Sequence, residues 1–346
     1  MKIAFLDRDG TLMFEPQDTG KIDTLKRLKI LPGVIEGLKQ LQADDYKFVL
    51  ISNQNGIGTP NFLTEAFEIP NRKFLEILRD EGIEFYRIFV CPHMQEDNCN
   101  CRKPETGLVD EFLKDEQIDF AKSFMLGDRF TDVEFGENVG VIGLKMLTNS
   151  RFPRITTAER ETNETKVFAL ANLDGNGSFK IDTGIKFFNH MLEQFSKHSL
   201  IDLVIKTQGD LDVDEHHAVE DTALVLGEVI NKALGAKRGI KRYGFTLPMD
   251  DTLVEVAVDL GGRAYLVFNV SFLREKVGDL PTELVEHFFR SLADSLRANI
   301  HINVCYGRNE HHKIEAIFKA FAKAMKMACE IDDRLGDVIP STKKIL

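Results

Sequence analysis

Short apolar runs at 2–6 ("KIAFL"), 47–52, 87–90, 123–126 and 139–144 alternate with stretches in which apolar residues recur every three or four positions, around 34–42, 71–82, 106–115 and 131–137. A short apolar run bounded by turn residues reads as a buried strand, and a 3.6-residue period as an amphipathic helix. Alternation of the two predicts an α/β unit over residues 1–150, a doubly wound parallel sheet with helices on both faces. Ligands of such a sheet gather at the carboxyl ends of its strands.

The stretch 151–165 is polar and lacks a sustained period, and reads as a linker running into the start of a second domain. Residues 166–346 then repeat themselves. Two strands flank the turn "DGNG" (174–177), followed by a helix at 185–198, a strand at 200–208 and a helix at 214–234. From 251 the same order returns, with a helix beginning at "ELVEHFF", the strand "NIHINVCYG" and the helix "EHHKIEAIFKAFAKAM". The pattern predicts an α+β domain of two ββαβα halves.

The composition is that of an ordinary globular protein. The 346 residues carry a formal net charge of −11, which argues against nucleic acid as the main partner. No apolar run is long enough to span a membrane, and the first residues lack the zones of a signal peptide, so a cytoplasmic protein is expected. Five cysteines, three of them within eleven residues, point to a reduced compartment and a metal site. Cys305 and Cys329, outside that group, are expected to be buried thiols.

The first strand ends in "FLDRDGTL", placing Asp7 and Asp9 on one side of the chain before the turn at Gly10. A carboxylate there can attack phosphorus while its neighbour shuttles a proton. The same carboxylates with a phosphate form a hard oxygen site for Mg²⁺. Ser52-Asn53-Gln54 ends the second strand, Lys103 lies in "CRKP", and "GDRFTD" (127–132) follows the fourth strand. This set resembles the haloacid dehalogenase superfamily of phosphatases. The resemblance implies Asp7 as nucleophile, Asp9 as acid/base, Ser52 and Lys103 as phosphate binders, and Asp7, Asp9 and Asp128 around Mg²⁺, with Asp132 as a further member.

"CPHMQEDNCNC" supplies Cys91, His93, Cys99 and Cys101, a complete tetrahedral set for structural Zn²⁺. The spacing is similar to the zinc loop of the branch holding histidinol-phosphatases and heptose-bisphosphate phosphatases. In that setting the ion shapes the substrate loop and takes no part in the chemistry.

The triplet His-His-x-x-Glu occurs twice, in "EHHAVED" (215–221) and "EHHKIEA" (310–316). Adjacent helical residues are rotated by about 100°, so the two imidazoles of a pair do not readily serve one ion, whereas the Glu lies beside both. Two metal sites, each fed by one imidazole from every pair, follow. With an upstream histidine in each half, His190, His216, His217, Glu220, His287, His311, His312 and Glu315 make eight ligands. Donor type alone leaves Mn²⁺, Fe²⁺, Co²⁺, Ni²⁺ or Zn²⁺ open. The two sets need not meet within one chain, and sites shared between copies would couple assembly to metal.

Residues 160–346 resemble imidazoleglycerol-phosphate dehydratase in "RETNET" (160–165), "FFNHMLEQFSKH" (187–198), "DVDEHHAVEDTALVLGE" (212–228), "KRGIKRYGFTLPMDD" (237–251), "EHFFRSLADSL" (286–296), "GRNEHHKIEAIFKAFAKA" (307–324) and "PSTKKIL" (340–346). The family implies a two-layer fold of duplicated halves, two Mn²⁺ per shared site and a homo-oligomer of 24 chains. It implies dehydration of imidazole glycerol-phosphate to imidazole acetol-phosphate, with the substrate ring held as an imidazolate. Glu164, with Glu315 as a second carboxylate, is then assigned to proton transfer, and Arg242, Arg263, Lys319, Ser341 and Lys343 to the phosphate.

The fusion of the two halves resembles the bifunctional enzymes of histidine biosynthesis, which implies L-histidinol phosphate as the phosphatase substrate and phosphorylated imidazoles as the small-molecule partners of the chain. Two rivals are a phosphatase acting on a sugar phosphate such as a heptose bisphosphate, and a C-terminal half that is only a metal-structured assembly shell.

Overall fold

The computed structural model describes residues 1–147, 151–244 and 247–343. The chain forms two compact units, Met1–Pro153 and Arg154–Leu346. Ser150, the expected end of the first domain, lies outside the described residues.

The first unit runs β1 (Lys2–Leu6), α1 (Val34–Ala43), β2 (Tyr46–Asn53), α2 (Thr64–Asp80), β3 (Phe85–Cys91), α3 (Asp110–Asp115), β4 (Phe124–Gly127), α4 (Phe130–Val139) and β5 (Ile142–Lys145). All five strands are parallel, in the order β3-β2-β1-β4-β5. Ile3, Ala4, Phe5 and Leu6 are fully buried, as a strand covered on both faces requires. The chain winds outward from β1 in one direction and then restarts at β4 in the other. The crevice between the carboxyl ends of β1 and β4 is therefore where a ligand fits.

Helix α2 starts earlier than the expected 71–82. Proline usually ends a helix, yet Pro70 sits inside this one. Phe67, Pro70, Phe74 and Leu78 form one buried stripe at helical spacing, and its burial outweighs the single lost amide donor. Helix α3 is shorter than the expected 106–115, covering Asp110–Asp115 alone.

In the second unit Ile155–Glu161, within the stretch read as linker, is already a strand, β6. It is followed by β7 (Thr165–Asn172), β8 (Phe179–Asp182), α5 (Lys186–Ser199), β9 (Asp202–Gly209) and α6 (His216–Leu234). The second half holds β10 (Tyr243–Gly244), β11 (Leu247–Met249), β12 (Thr252–Asp259), β13 (Tyr265–Asn269), a hairpin of β14 (Lys276–Val277) and β15 (Leu280–Pro281), α7 (Glu283–Leu296), β16 (Asn299–Tyr306) and α8 (Glu310–Cys329). The sheets are ordered β6-β7-β9-β8 and β10-β12-β16-β13. In each the second and third strands run antiparallel, and the third and fourth parallel.

The duplication is thus borne out with corrections: the second half also carries β11 and the β14–β15 hairpin, and each half opens on an additional strand, β6 or β10. These were illegible because β6 ends in the exposed run Glu159-Arg160-Glu161 and β10 is two residues long. The two-layer expectation holds for each half taken alone, a sheet with two helices. One continuous apolar core runs from Leu203 and Ile205 of the first sheet through all four helices to Val256 and Ile302 of the second. The helices are therefore the filling between two sheets. Their partners are exchanged between halves, α5 packing on α8 and α6 on α7. At Gly227 the approach is so close that a Cβ would lie 2.7 Å from the Leu296 amide nitrogen.

Candidate functional sites

Groups of side chains in both units carry chemistry. In the first unit Asp7 and Asp9 leave the end of β1, and Asp128 leaves the end of β4. Asp132, in the first turn of α4, accepts the Arg129 amide at 2.9 Å. Lys103 Nζ lies 2.5 Å from Asp7 Oδ1 and 2.6 Å from Asp132 Oδ1, and donates to the Ile51 carbonyl at 2.8 Å. Lys103 and Ser52 are almost wholly buried, and both line a cleft of about 220 Å³ with Asp7, Asp9, Glu15, Gln54 and Arg129.

Asp7, Asp128 and Asp132 each offer an oxygen to one point, within 4.8 Å of one another. Burial pushes the Asp7 carboxyl up to about 7, with Lys103 opposing the rise and Asp132 and Asp128 adding to it. Burial, then Asp132, pushes Asp128 up to about 6. Asp128 Oδ1 is buried without a hydrogen-bond partner. Three converging carboxylates, one ammonium and an orphaned oxygen leave uncompensated negative charge, which a hard divalent cation fits.

The side chain of Asp9 is not in this cluster, contrary to its expected place around Mg²⁺. Arg8 grips it through two bonds, Nε to Oδ1 at 2.9 Å and Nη2 to Oδ2 at 3.1 Å, and Gln54 Nε2 donates to Oδ2 at 2.6 Å. This bidentate pair turns the carboxylate aside, and Asp132 stands as the third acid instead. Gln54, in the motif that ends β2, also donates to Ser52 Oγ at 2.8 Å and so links Ser52 to Asp9. Arg8, fully buried against Phe67 and Asn71, gave no signal in sequence beyond its place between two aspartates.

Cys91, His93, Cys99 and Cys101 meet as a cluster. Cys91 Sγ is 3.7 Å from Cys99 Sγ and 3.3 Å from Cys101 Sγ, and His93 Nδ1 is 3.1 Å from Cys101 Sγ. Thiolates about 2.3 Å from a tetrahedral zinc stand about 3.7 Å apart, so the set fits that ion with small adjustments. Cys329 is buried as expected, and burial pushes its thiol up to about 12. Cys305 is exposed, contrary to expectation, because it lies toward the exposed end of β16.

In the second unit both His-His-x-x-Glu triplets open helices. The Asn309 side chain accepts the His311 amide at 2.9 Å, and Asp214 accepts that of His216 at 3.0 Å. The exchanged packing of helices determines which ligands meet. His216 and Glu220 of α6 converge with His287 of α7, with Glu220 Oε2 lying 3.6 Å from His216 Nε2 and 3.4 Å from His287 Nε2. His287 Nε2 is buried without a hydrogen-bond partner. On the related pair of helices His311 Nε2 is 3.1 Å from Glu315 Oε2. Burial works against ionisation of Glu315, but Lys319, 2.7 Å away, overrides it, helped by the charges of His190 and His311.

The second histidine of each pair is turned away from the first by 81° between ring planes. His217 points to Glu164, 3.5 Å from Nε2, and to Asp210, 3.6 Å from Nδ1. His312 Nδ1 is 2.7 Å from Asp251 Oδ1. Among the described residues the chain therefore gathers His216, Glu220 and His287 on one side and pairs His311 with Glu315 on the other, leaving His217 and His312 outside those groups. Imidazole and carboxylate donors in this number fit a first-row divalent ion with positions to spare.

The expected phosphate ligands are only partly gathered. Arg242 is bound to Asp259 at 2.5 and 2.9 Å and to the Pro340 carbonyl at 3.1 Å, which brings it beside Ser341. Arg263 and Lys343 are exposed, and Lys319 is held by Glu315 instead.

Known proteins match both units. The family model for imidazoleglycerol-phosphate dehydratase matches residues 183–325, and that for polynucleotide kinase 3 phosphatase matches residues 2–152. The "Histidine biosynthesis bifunctional protein HisB" of Blochmanniella floridana is 44% identical over 359 residues, covering 100% of this chain and 99% of that one. Its namesake in Stenotrophomonas maltophilia is 45% identical, covering 99% of each. The chain belongs to the HisB family. As a member it is a bifunctional enzyme of histidine biosynthesis, with a histidinol-phosphatase in the first unit and an imidazoleglycerol-phosphate dehydratase in the second. The crystal structure of imidazoleglycerol-phosphate dehydratase from Staphylococcus aureus is 41% identical over 51% of this chain and 99% of its own, with a TM-score of 0.47.

Proposed function

We propose that Asp7 is the phosphatase nucleophile. Its Oδ attacks the phosphorus of L-histidinol phosphate, forming an aspartyl-phosphate as the bond to the alcohol oxygen breaks. Asp9, held by Arg8 and Gln54, gives its proton to the departing alkoxide. It then takes a proton from the water that attacks phosphorus, releasing phosphate and restoring Asp7. Ser52 and Lys103 bind the phosphoryl oxygens. Mg²⁺ at Asp7 and Asp128, with Asp132 beside them, supplies charge neutralisation. Zn²⁺ at Cys91, His93, Cys99 and Cys101 shapes the loop beside the cleft.

In the dehydratase, Glu164 removes the proton from the carbon next to the departing hydroxyl, and the resulting enol becomes the ketone. Arg242, Arg263, Lys319, Ser341 and Lys343 hold the phosphate. Mn²⁺, when bound by His190, His216, His217, Glu220, His287, His311, His312 and Glu315, acidifies the substrate ring. Glu315, already engaged with His311 and Lys319, is a ligand first and a proton carrier second.

The observation that carries this reading is the outward turn of His217 and His312. His216, Glu220 and His287 converge while His217 faces away, and His311 with Glu315 sits apart from His312. This favours sites completed by a second copy, in keeping with the closed homo-oligomer of 24 chains that the family resemblance implies. No helix among the described residues is long and apolar enough to cross a membrane, in keeping with a cytoplasmic enzyme. The domain limits we infer are 1–150 and 166–346, joined by 151–165, whose later part already belongs to β6.

The test is mass spectrometry of the purified, Mn²⁺-loaded protein with imidazole glycerol-phosphate. Loss of one water, abolished by a chelator and by Glu164→Gln while the oligomer persists, is expected. If the assembled, metal-loaded protein takes no water from the substrate, the second unit is left as an assembly shell, and an unchanged rate in Glu164→Gln would take the proton-transfer role from Glu164. Side-by-side turnover of histidinol phosphate and a heptose bisphosphate should favour the former.

A further inference from the structure

The two halves of the second unit place an acid at the same point of the repeat. Glu164 immediately precedes β7, Asp251 immediately precedes β12, and a threonine follows each. Both acids face the outward histidine of their own half. They face different atoms of it. Glu164 lies 3.5 Å from Nε2 of His217, and Asp251 lies 2.7 Å from Nδ1 of His312.

We propose that Asp251 is the positioning residue of the second histidine pair: its carboxylate accepts the hydrogen bond of the Nδ1–H of His312 and so presents Nε2 of that ring to a divalent cation. The proposal rests on the reading of His312 as a metal ligand. An ionised carboxylate only accepts hydrogen bonds, so the ring nitrogen facing it carries the proton and the opposite nitrogen keeps its lone pair. Partners of this kind hold the orientation and basicity of ligating imidazoles.

The rest of Asp251 explains why it is the fixed member of the pair. Its Oδ2 accepts the amides of Arg308 at 2.9 Å and Asn309 at 3.3 Å, the two residues that precede α8. The aspartate thus ties the start of β12 to the turn that launches the His-His-x-x-Glu helix. Glu164 is one methylene longer, its side chain is 55% exposed, and it reaches the far nitrogen of its histidine. In that half the Nδ1 side is faced by Asp210 instead, at 3.6 Å. One place in the repeat has therefore diverged into a carboxylate that can move protons and one that orients a ligand.

The experiment compares Mn²⁺ binding by the full chain with that of Asp251→Asn, using titration calorimetry on chelator-stripped protein and metal content after dialysis. Asparagine keeps an oxygen for the two amides but turns an NH₂ group toward Nδ1. A loss of about 10–100-fold in Mn²⁺ affinity is expected, with melting of the metal-free protein and phosphatase turnover unchanged. Asp251→Glu, which restores an acceptor, should recover most of the loss. Native affinity in Asp251→Asn overturns the proposal, as does a glutamate variant that folds yet binds no better than asparagine. Where Asp251→Asn does not fold, Asp251→Ser, which keeps an acceptor for the amides, carries the same comparison. His312→Ala separates the two levels: if it loses metal while Asp251→Asn does not, only the positioning role fails. If His312→Ala binds as the native chain does, the ligand reading fails first and the proposal with it.

Discussion

Gly10 and Asp128 share a space that admits no side chain between them. Gly10 turns the chain with φ of +79°, and a Cβ there would overlap the Asp128 carboxylate. The turn after the nucleophile strand and the acid after β4 are thus packed against each other, which sets where the cation-binding oxygens converge.

Gly10→Ala therefore strikes the phosphatase twice, through the left-handed backbone and through displacement of Asp128. A shift of about 1 Å in a reacting group costs on the order of 100-fold in rate. A loss of that size in histidinol phosphate hydrolysis, with dehydratase turnover intact, is the expected result of parallel assays.

The close crossing at Gly227 holds His216 and Glu220 against His287. Gly227→Ala must push α6 away from Leu292, Ser295 and Leu296. Overpacking of this kind costs about 1–3 kcal/mol. Calorimetry should show the lower melting temperature, and metal analysis a lower Mn²⁺ content per chain. An alanine variant with native melting and metal would mean that the helices separate without disturbing the ligands.

Asp202 is buried and accepts the amides of Asn176 and Ser178 and the Asn172 side chain. Burial raises its carboxyl to about 6, against the pull of those donors. Between the usual carboxylate value near 4 and about 6, the folded chain keeps a proton that the unfolded chain has lost. The contribution of this group to stability therefore falls as pH rises through that window and is constant above it. Melting curves of the native chain and Asp202→Asn from pH 4 to 7 should differ in slope in that interval alone.

Removing zinc should act on one activity only. Cys99→Ser deletes one of four ligands from a loop that joins the end of β3 to the strip carrying Arg102 and Lys103. Metal analysis should show one fewer zinc per chain, and hydrolysis should fall while dehydration continues. Equal turnover by the zinc-free variant would separate the loop from the cleft.

Much of this was readable along the chain because its signals are local. Buried parallel strands are continuous apolar runs, so β1, β2 and β4 could be placed to within a residue or two. The Cys-His cluster lies within eleven positions, and the His-His-x-x-Glu triplets sit in single helical turns. Repetition made the second unit legible even though each half alone is ambiguous. The extra strands β6 and β10 escaped because they are short or end in charge, and only their partners across the sheet define them.

Tertiary structure decided what depends on partners distant in sequence. Which histidine joins which glutamate follows from α6 packing on α7 and α5 on α8, an exchange between halves that spacing cannot show. The side chain of Asp9 stays out of the acidic cluster because Arg8 and Gln54 together hold it, while Lys103 holds Asp132 within the cluster. Asp210 and Asp251 look like surface acids in sequence and acquire meaning only beside an imidazole. Residue type and local spacing determined the kinds of chemistry this chain can perform. Packing, through burial and hydrogen bonding between remote segments, determined which side chains stand near enough to perform it.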